Sequence, residues 1–541
     1  MKRKSFIPIA IILCNTAVAY AQKNLSEDID VIRPYKAILA EGIRLRTNPE
    51  VFEIKNAEPQ ASYKFSDKKL DQTISIIGLP PEKMKSESIT KLYKGYLKGG
   101  FGNITTALGE LYVANTRDTK NQYGVSLKHL SSNGKNARDF STDKFSVFGK
   151  TLLGKQQISG NVFYDRNASK FYGFDEKKFN SDNFKNNLKQ RYQTIGGEAE
   201  IYNTETNEYT LGYAAKISGY SFSDLYKAKE NNVLAGLHLK KNIDEFKAEI
   251  DISLDATNSK DVRTIKNTIF KIAPSFHFTQ DVFSIKAGFV LASESGFIKK
   301  THFFPSAYAS VNIVEEKVVA FTGITGDVAK NSLRNFSNEN QFLAPNLNLR
   351  NTIENLHFYG GLKGSLGSNF SFKAWAGVKS VKNLAFFVND STDERKFKVI
   401  YDDGNIGITS LTTELNYQQS EKLRLYGSIR LDAYSLKKVA RAWHKPGSRA
   451  EISASYNFVD KFIIRTSLFY VGQRNALVNF NTNSFIQLKG YADLNLGIEY
   501  RYSKTLSAFV NLNNLTSTKY QLWRNYESYG FNALGGVTFS F

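Results

Sequence analysis

Six histidines are the side chains of this sequence best suited to acid–base catalysis or metal binding: His129, His238, His277, His302, His357 and His444. No two of them have the H-x-x-x-H or H-E-x-x-H spacing that places two metal ligands on one helix face. The sequence also contains no G-x-S-x-G nucleophile turn. We therefore predict no catalytic site, no metal and no cofactor, and we expect that the chain is not an enzyme.

Two other groups of residues resemble functional motifs but lack their defining features. The glycine-rich segment from Gly99 to Gly102 has no Lys and Ser/Thr after it, so we interpret it as a tight backbone passage at a strand end and not as a phosphate loop. The acidic residues between 390 and 403 lack the regular spacing of a calcium loop, and we interpret them as a solvated loop. They are Asp390, Asp393, Glu394, Asp402 and Asp403.

The first 21 residues have the pattern of a secretory signal peptide. Three cations at positions 2–4 precede an apolar stretch from Phe6 to Cys14, and Ala19 and Ala21 form an A-x-A cleavage pattern. Cys14 is the only cysteine, and the bulky Leu13 before it does not fit a lipoprotein signal. We predict that residues 1–21 are removed and that the mature chain, which begins near residue 22, has no thiol and no disulfide.

The charge of the chain is strongly basic, +21 overall. The predicted mature chain carries +18, because the signal peptide has three cations and no acid. Nucleic acid is one partner of basic chains, but an exported protein does not meet it. Anionic lipopolysaccharide or an anionic solute is then the expected partner, and a basic envelope protein with no specific ligand is the alternative.

Residues 22–91 differ in composition and in hydrophobic pattern from the rest of the chain. Five of the ten prolines lie there, and because proline cannot donate to a strand ladder we predict an irregular segment, periplasmic or inside a lumen. From residue 92 onward, short runs of alternating apolar and polar residues follow one another. Between Phe246 and Ala256, six apolar residues alternate with five polar ones.

The same alternation recurs near residues 356–366, 423–431 and 494–502, and many of its polar positions are charged. Charges at every second position suit strands with one face in lipid and the other in a wet lumen. No apolar run after the signal peptide reaches the roughly 20 residues of a membrane-spanning helix. We therefore predict an all-β fold, a large antiparallel transmembrane β-barrel of about 22 strands over residues 92–541.

The connections support this prediction, because tight turns and long loops alternate along the chain. Tight turns are predicted at 242–245, 367–369, 420–422, 459–461 and 503–505, and long connections near 169–190, 329–353, 389–406, 436–446 and 474–488. When the strands are counted back from the C-terminus, all the predicted tight turns fall at the barrel end where the last strand ends. Outer-membrane barrels have their short turns on the periplasmic side, so the C-terminus is predicted on the periplasmic side of a Gram-negative outer membrane. Pro274 and Pro305 fall inside predicted strands, where each indicates a bulge, a strand rim or an error in the assignment.

The last predicted strand carries apolar residues on one face and ends on an aromatic residue. A terminal aromatic on an alternating strand is the feature that the barrel assembly machinery recognises in many outer-membrane proteins. We therefore predict an assembly signal at Phe531, Val537, Phe539 and Phe541. Outer-membrane lipid and the assembly machinery are the partners that this prediction implies.

The segment from Tyr491 to Phe541 resembles the end of a TonB-dependent receptor. An Asn-Leu-x-Asn-like element at 511–514 is followed by Lys519 and Tyr520, and a short loop then leads into the final strand. The resemblance covers roughly residues 92–541 and implies a large barrel. These receptors carry a folded plug of well over a hundred residues before the barrel, and the 70 or so residues at 22–91 are too few for one. The stretch Asp28, Ile29, Asp30, Val31 resembles the box that contacts TonB.

Two functions follow from this reading. The first is a transport-class barrel for uptake or as a pore, with the N-terminal segment or a partner occluding the lumen, since a barrel of this size is usually plugged. The second is a non-transporting accessory or scaffold subunit of an outer-membrane assembly or export complex. Enzymatic outer-membrane barrels use Ser/His or Asp/His groups near the outer rim but are much smaller, so each histidine is interpreted as a girdle or lumen side chain.

Overall fold

A computed structural model describes residues 92–115, 118–134, 138–173, 189–204, 211–315 and 317–541 of the chain. These residues form a closed antiparallel barrel of 22 strands, which confirms the predicted fold class and strand number. Each strand pairs with the barrel strand that follows it, and the last strand closes on the first with Tyr96 opposite Ser540. The predicted signal peptide, the segment 22–91 and the stretch Asp28, Ile29, Asp30, Val31 lie outside the described residues.

The barrel strands are β1 Gly95–Gly102, β2 Thr106–Ala114, β3 Asn121–Asn133, β4 Asp139–Leu153, β5 Gln156–Lys170, β6 Lys189–Asn203, β7 Leu211–Asp224, β8 Lys229–Ile243, β9 Phe246–Lys260, β10 Thr264–Thr279, β11 Phe283–Ser295, β12 Lys299–Val314, β13 Val318–Ala329, β14 Thr352–Leu366, β15 Phe370–Lys382, β18 Ile406–Gln419, β19 Leu423–Ser435, β20 Ser448–Phe458, β21 Phe462–Val471, β24 Tyr491–Arg501, β25 Leu506–Asn513 and β28 Asn532–Ser540. Three hairpins and a helix lie in the connections: β16 Leu384–Asn389 with β17 Phe397–Asp402, β22 Arg474–Asn479 with β23 Ser484–Leu488, β26 Gln521–Trp523 with β27 Tyr526–Glu527, and α1 Leu333–Glu339.

The alternation in the sequence sets the two faces of the wall. On β9, Phe246 and Leu254 face outward and are about half exposed. Glu249, one position out of phase with them, faces the lumen and accepts from the ammonium groups of Lys247 and Lys286. The register runs without a shift from β3 to β12, so this assignment of faces holds across that whole arc.

The connections separate into two ends of the barrel, which we call the turn end and the loop end. Every predicted tight turn lies at the turn end, where the final strand also ends. Asp244 and Gly367 adopt positive φ values of 50° and 70° there, the backbone that two- and three-residue turns require. Every predicted long connection lies at the loop end, and these connections contain α1 and the hairpins β16–β17 and β22–β23. The third hairpin, β26–β27, lies in the connection 514–531, which was wrongly predicted to be a short loop. The parity of the turns was therefore predicted correctly.

The two strand prolines lie where the ladder is interrupted. Pro274 of β10 pairs with Ile250 of β9, but the ladder from β10 to β11 is broken beside it, between Ile272 and Ser275. Pro305 of β12 lies opposite Phe289 of β11, just before the ladder to β13 starts at residue 307. Each proline thus occupies a position where its missing N–H costs no ladder bond.

The described residues include no helix long and apolar enough to cross a membrane.

Candidate functional site: the lumen and the loop cap

The lumen face of the wall carries ion pairs that cross from strand to strand. Glu110 accepts from Lys128 at 2.7 Å and Glu198 from Lys216 at 2.7 Å. Farther along the wall, the Arg465 guanidinium lies 3.1 Å from Glu499. Opposite charges on neighbouring strands stabilise a sheet face, and here they line the interior of the barrel with hydrated polar groups.

A cavity of about 600 Å³ opens on the lumen side of strands β18 to β25. Its inward-facing lining is almost entirely polar and includes Arg424, Arg465, Asn495, Asn511 and Asn513. Amide and guanidinium groups can donate to the oxygens of a polar or anionic solute, so this wall is chemically suited to contact one.

Five connections at the loop end pack against one another: residues 330–351, 383–405, 436–447, 472–490 and 514–531. We call this assembly the loop cap. Its main core joins three of these connections, 330–351, 383–405 and 514–531, to the loop-end parts of β6 and β7. A second cluster, which includes Phe386, Trp443 and Leu477, joins 383–405 to the other two connections. The main core consists of Phe171, Tyr192, Phe222, Ala228, Leu333, Phe336, Phe342, Leu343, Leu347, Leu349, Phe387, Phe397, Val399 and Tyr526.

Tyr526 lies at the centre of this core. Its side chain is 1% exposed, and its ring stacks on Phe342 with centroids 3.6 Å apart and meets the edge of Tyr172 at 4.8 Å. Its hydroxyl donates to the backbone carbonyl of Arg395. Burial raises the pKa of this hydroxyl well above its usual value, so it remains a donor at all physiological pH values. One side chain thus joins three connections of the loop cap.

Helix α1 is attached to the barrel wall by a buried carboxylate. Glu230 of β8 is fully buried and accepts from the backbone N–H of Leu333 at 2.8 Å and from the hydroxyls of Ser259 and Tyr220 at 2.7 and 2.9 Å. Ser332 caps the helix by accepting from the N–H of residue 335. Because a buried carboxylate requires such partners, these bonds fix the connection 330–351 to one place on the wall.

A second carboxylate joins two other connections. Asp402 is fully buried and accepts from the backbone N–H groups of Gly404, Lys437, Lys438 and Val439 at 2.9–3.1 Å. Burial alone would raise the pKa of this carboxyl, but the four backbone donors outweigh it and lower the pKa below its ordinary value. Hairpin β16–β17 is thereby fixed to the connection 436–447.

His444 is buried between the rings of Phe397 and Trp523. Its Nε2 accepts from the backbone N–H of Arg524 at 3.3 Å, so the proton is on Nδ1, which donates to the Phe387 carbonyl at 2.9 Å. Burial, with nearby guanidinium and ammonium groups, lowers the pKa of His444 to about 3. The neutral imidazole therefore acts as a structural bridge within the loop cap.

Ion pairs at the edge of the core connect further segments. Lys445 donates to Glu339 at 2.6 Å. The Arg138 guanidinium donates to Glu527 at 2.9 Å, although the two residues are 389 positions apart in the sequence. Of these four side chains, only Lys445 is buried, so its pairing with Glu339 compensates a charge that is removed from water. The loop cap is thus held by aromatic packing, buried hydrogen bonds and ion pairs together.

The residues singled out in the sequence are distributed over the barrel. The predicted assembly residues lie at or beside β28 and are all exposed on its outer face, where the rings of Phe539 and Phe541 stack at 5.9 Å; they are Phe531, Val537, Phe539 and Phe541. Four histidines face the lumen: His238 bonds to Asp251, His302 to Glu294 and His277 to Ser284, and His357 lies near Glu354. The other two lie on the outer face of β3 (His129) and in the loop cap (His444).

The acidic cluster predicted as a solvated loop is partly enclosed in the loop cap. Asp393 pairs with Arg395 at 2.8 Å and Asp390 with Lys398 at 2.8 Å. The loop cap itself was not predicted from the sequence. A signal for it was present, because the stretch 333–349 carries Leu and Phe residues within a connection predicted to be a loop.

By sequence, the chain matches no family model and no curated protein. By structure, it is similar to the FrpB iron transporter of Neisseria meningitidis (F5-1 variant), with a TM-score of 0.67 at 9% identity over 84% of this chain and 83% of that one. It is also similar to the ferric-catecholate import receptor Fiu of Escherichia coli K12, with a TM-score of 0.63 at 10% identity over 83% and 82% of the two chains.

A third similar structure is the ferric enterobactin receptor PfeA of Pseudomonas aeruginosa, with a TM-score of 0.61 at 12% identity over 83% and 80% of the two chains. Identities this low establish the fold and leave the ligand open. The resemblance noted in the C-terminal sequence is thus confirmed over most of the chain, which has the 22-stranded barrel fold of TonB-dependent siderophore receptors.

Proposed function

We propose that the protein is a transport-class barrel of the Gram-negative outer membrane, an uptake receptor or pore, whose mouth is closed by its own loop cap. The observation that supports the proposal is the packed core of the loop cap at the loop end of a barrel whose lumen face is polar. A large barrel needs an occluding element to prevent leakage. The predicted occluder was the N-terminal segment or a partner, and the loop cap adds a third, formed within the barrel chain.

We further propose that the loop end faces the cell surface and the C-terminus the periplasm. Short turns on one side and long loops on the other are typical of outer-membrane barrels. A girdle of exposed aromatic residues near the turn end suits the membrane interface, and its members include Phe246, Phe283, Phe458, Phe462, Tyr502 and Phe541.

The remaining parts of the proposal extend to partners and processing. Residues 1–21 act as the signal peptide, 22–91 as a periplasmic or lumenal segment, and the exposed apolar face ending at Phe541 as the signal for the assembly machinery. Outer-membrane lipid and lipopolysaccharide surround the wall, and TonB or another envelope protein contacts the N-terminal segment. The main role is passage or binding rather than catalysis, with no nucleic acid, metal or cofactor required.

Replacing residues 385–401 by a short Gly-Ser linker is expected to open the mouth. The exchange removes Phe387, Phe397 and Val399 from the core of the loop cap together with the partner of His444. Large antibiotics that the outer membrane normally excludes should then enter cells that express the variant. Their minimal inhibitory concentrations and the uptake of a fluorescent glycopeptide measure this.

Two matched variants locate the barrier. A Gly-Ser exchange of the turn 459–461 alters the other end of the barrel and should leave permeability unchanged. Deletion of 22–91 tests the alternative occluder. Leakage after that deletion, combined with tight membranes in the 385–401 variant, would contradict a mouth closed by the loop cap.

A non-transporting scaffold is the second candidate, and one observation favours it. The tip of hairpin β22–β23 projects at the loop end with Val478, Phe480, Phe485 and Ile486 exposed. Clustered exposed apolar side chains mark sites of protein contact. Recovery of stoichiometric envelope partners in mild detergent, and their loss in a Phe480→Ser, Phe485→Ser variant, would favour this function over transport.

A further inference from the structure

The outer face of hairpin β3–β4 carries three side chains in a hydrogen-bonded row. His129 Nδ1 lies 2.6 Å from an Asp143 carboxylate oxygen, and His129 Nε2 lies 3.0 Å from the Ser131 hydroxyl. His129 and Asp143 are directly opposite in the register, and Ser131 is the next residue of β3 on the same face. A nucleophile, a base and a carboxylate that orients the base are therefore in hydrogen-bond contact.

The donors and acceptors in this row can take the roles of an acyl-transfer triad. The Asp143 carboxylate can only accept, so His129 carries its proton on Nδ1 and donates it to Asp143. Nε2 is then the acceptor for the Ser131 hydroxyl proton. The carboxylate fixes the tautomer that a general base requires, and the imidazole is positioned to remove a proton from Ser131.

A cation and a second hydroxyl stand beside the nucleophile. The Arg166 guanidinium of β5 donates to Asp143 and, at 3.0 Å, to the Ser141 hydroxyl. Ser141 lies directly opposite Ser131 on β4. Because Ser141 accepts from Arg166, its own proton is available for a negative oxygen that develops next to Ser131, and the guanidinium charge favours that oxygen.

The row lies at the border, on the side of the loop end, of the apolar outer surface of the barrel. Val125 and Leu127 precede His129 on the same face of β3 and are 36% and 45% exposed, and Phe145 follows Asp143 on β4 at 40%. The side chains of His129 and Asp143 are themselves 42% and 32% exposed. A lipid with its acyl chains in the membrane and its polar headgroup at the surface would therefore place the linkage between headgroup and acyl chains beside this row.

The wall beside the row is cationic. On β6, β8, β10 and β12, an outward-facing Lys or Arg comes four residues before an exposed apolar side chain, and the described strands β6 to β12 carry no acidic residue on that face. Such a basic band attracts phosphate groups of lipids. The pairs are Arg191 with Ile195, Lys229 with Val233, Lys266 with Phe270 and Lys299 with Phe303.

We propose that Ser131 and His129 are catalytic residues, and Asp143 a positioning residue, of a second activity: hydrolysis of carboxylic esters in phosphate-bearing membrane lipids. This inference rests on the proposed membrane placement, because the outer face meets lipid only if the barrel spans a membrane. It departs from the prediction that the chain is not an enzyme. That prediction depended on linear motifs, which a row built across two strands does not produce.

The reaction proceeds in two steps through an acyl-Ser131 intermediate. Ser131 Oγ attacks the ester carbonyl carbon while its proton moves to His129 Nε2, and the ester C–O bond then breaks as the leaving alcohol takes that proton. Water next attacks the acyl-Ser131 carbonyl and gives its proton to His129. The bond from carbon to Ser131 Oγ breaks, Oγ regains the proton, and the fatty acid is released.

The test uses the full-length protein in mild detergent and two readouts. The first is covalent labelling by a fluorophosphonate probe, with the modified residue located by mass spectrometry. The second is fatty-acid release from two separate substrates, a glycerophospholipid and a phosphorylated lipid A. The variants are Ser131→Ala, His129→Gln, Asp143→Asn and a control, Ser126→Ala, which removes a hydroxyl on the lumen side of the same strand that bonds only to Ser146. The faster migration of unheated samples in gels verifies that each barrel is folded.

The expected result is labelling at Ser131 and release of fatty acid from one of the two lipids, with the Ser126→Ala protein unchanged. Ser131→Ala and His129→Gln should abolish both readouts. Asp143→Asn should lower kcat by a factor on the order of 10³ or more while KM stays the same, because the substrate does not contact Asp143. Absence of labelling and release in the folded native protein, or activity that persists in Ser131→Ala, would overturn the proposal. Neither outcome bears on permeability, so the proposed transport function is tested separately.

Discussion

Replacement of Tyr526 by alanine is expected to destabilise the loop cap by about 3–5 kcal/mol while the barrel stays closed. The change removes a fully buried ring that stacks on Phe342 and meets the edge of Tyr172, and it leaves the Arg395 carbonyl without its donor. The 22 strands do not depend on these contacts, because each pairs with two neighbours in the ladder. The loss of free energy should therefore appear as local opening at the loop end.

Hydrogen exchange of the backbone amides in 330–351 and 514–531 measures this opening. The control Tyr526→Phe keeps the ring and removes only the hydroxyl, so it should cost about 1 kcal/mol and leave most of the protection in place. If the alanine variant exchanges no faster than the phenylalanine variant, aromatic stacking does not hold the loop cap. Faster exchange in the barrel strands would instead show that the two parts unfold together.

The barrel could be predicted from the sequence because its rules are local. A strand between lipid and water must alternate, and the 246–256 stretch of β9 does so without exception. Short turns and long loops must alternate along the chain, so the barrel end at which each connection lies can also be assigned from the sequence alone. The resemblance in the last 51 residues added the expected barrel size, and the closed 22-stranded ladder agrees with it.

The loop cap could not be predicted in the same way, because its contacts join residues that are far apart in sequence. Nothing near Arg138 indicates that it pairs with Glu527, and nothing near Glu230 indicates that it binds the start of α1. One feature of the composition indicates it: the connection 330–351 contains apolar side chains, which are unusual in a solvated loop. Long connections also lack the regular spacing of apolar residues that is the main sequence signal of secondary structure.

The row of Ser131, His129 and Asp143 falls between these cases. His129 and Ser131 stand two apart, which places them on one face of any strand, so half of the arrangement is visible in the sequence. The position of Asp143 opposite His129 depends on the register of the β3–β4 hairpin. A one-residue shift of that register would move the carboxylate to the lumen, and such a shift cannot be detected without the structure.

Acidification is expected to loosen the loop cap through His444. Its pKa in the closed state is about 3, below the value of about 6.5 that a solvated histidine has. The opened loop cap therefore binds a proton more readily than the closed one, so stability that is full above pH 6.5 is lost as the pH falls from there toward 3. Between pH 7 and pH 5 the loss is about 2 kcal/mol.

The charged side chains that act most strongly on His444 are cations. They are Arg474, Arg524 and Lys445, and each of them opposes a charged imidazole. The lowered pKa of Asp402 places its contribution below about pH 4, where stability is lost as that carboxylate takes up a proton. A loosening that begins near pH 6.5 thus has His444 as its source.

Hydrogen exchange of the connection 436–447 at pH 7 and pH 5, corrected for the intrinsic exchange rate, is the measurement. Protection should fall by about 30-fold, the equivalent of 2 kcal/mol. The His444→Asn variant supplies an amide N–H for the Phe387 carbonyl but cannot titrate, so its protection should be lower at pH 7 and nearly the same at both pH values. Equal pH dependence in the native protein and the variant would place the sensitive group elsewhere in the loop cap. A flat response in both would mean that the opened loop cap keeps His444 away from water.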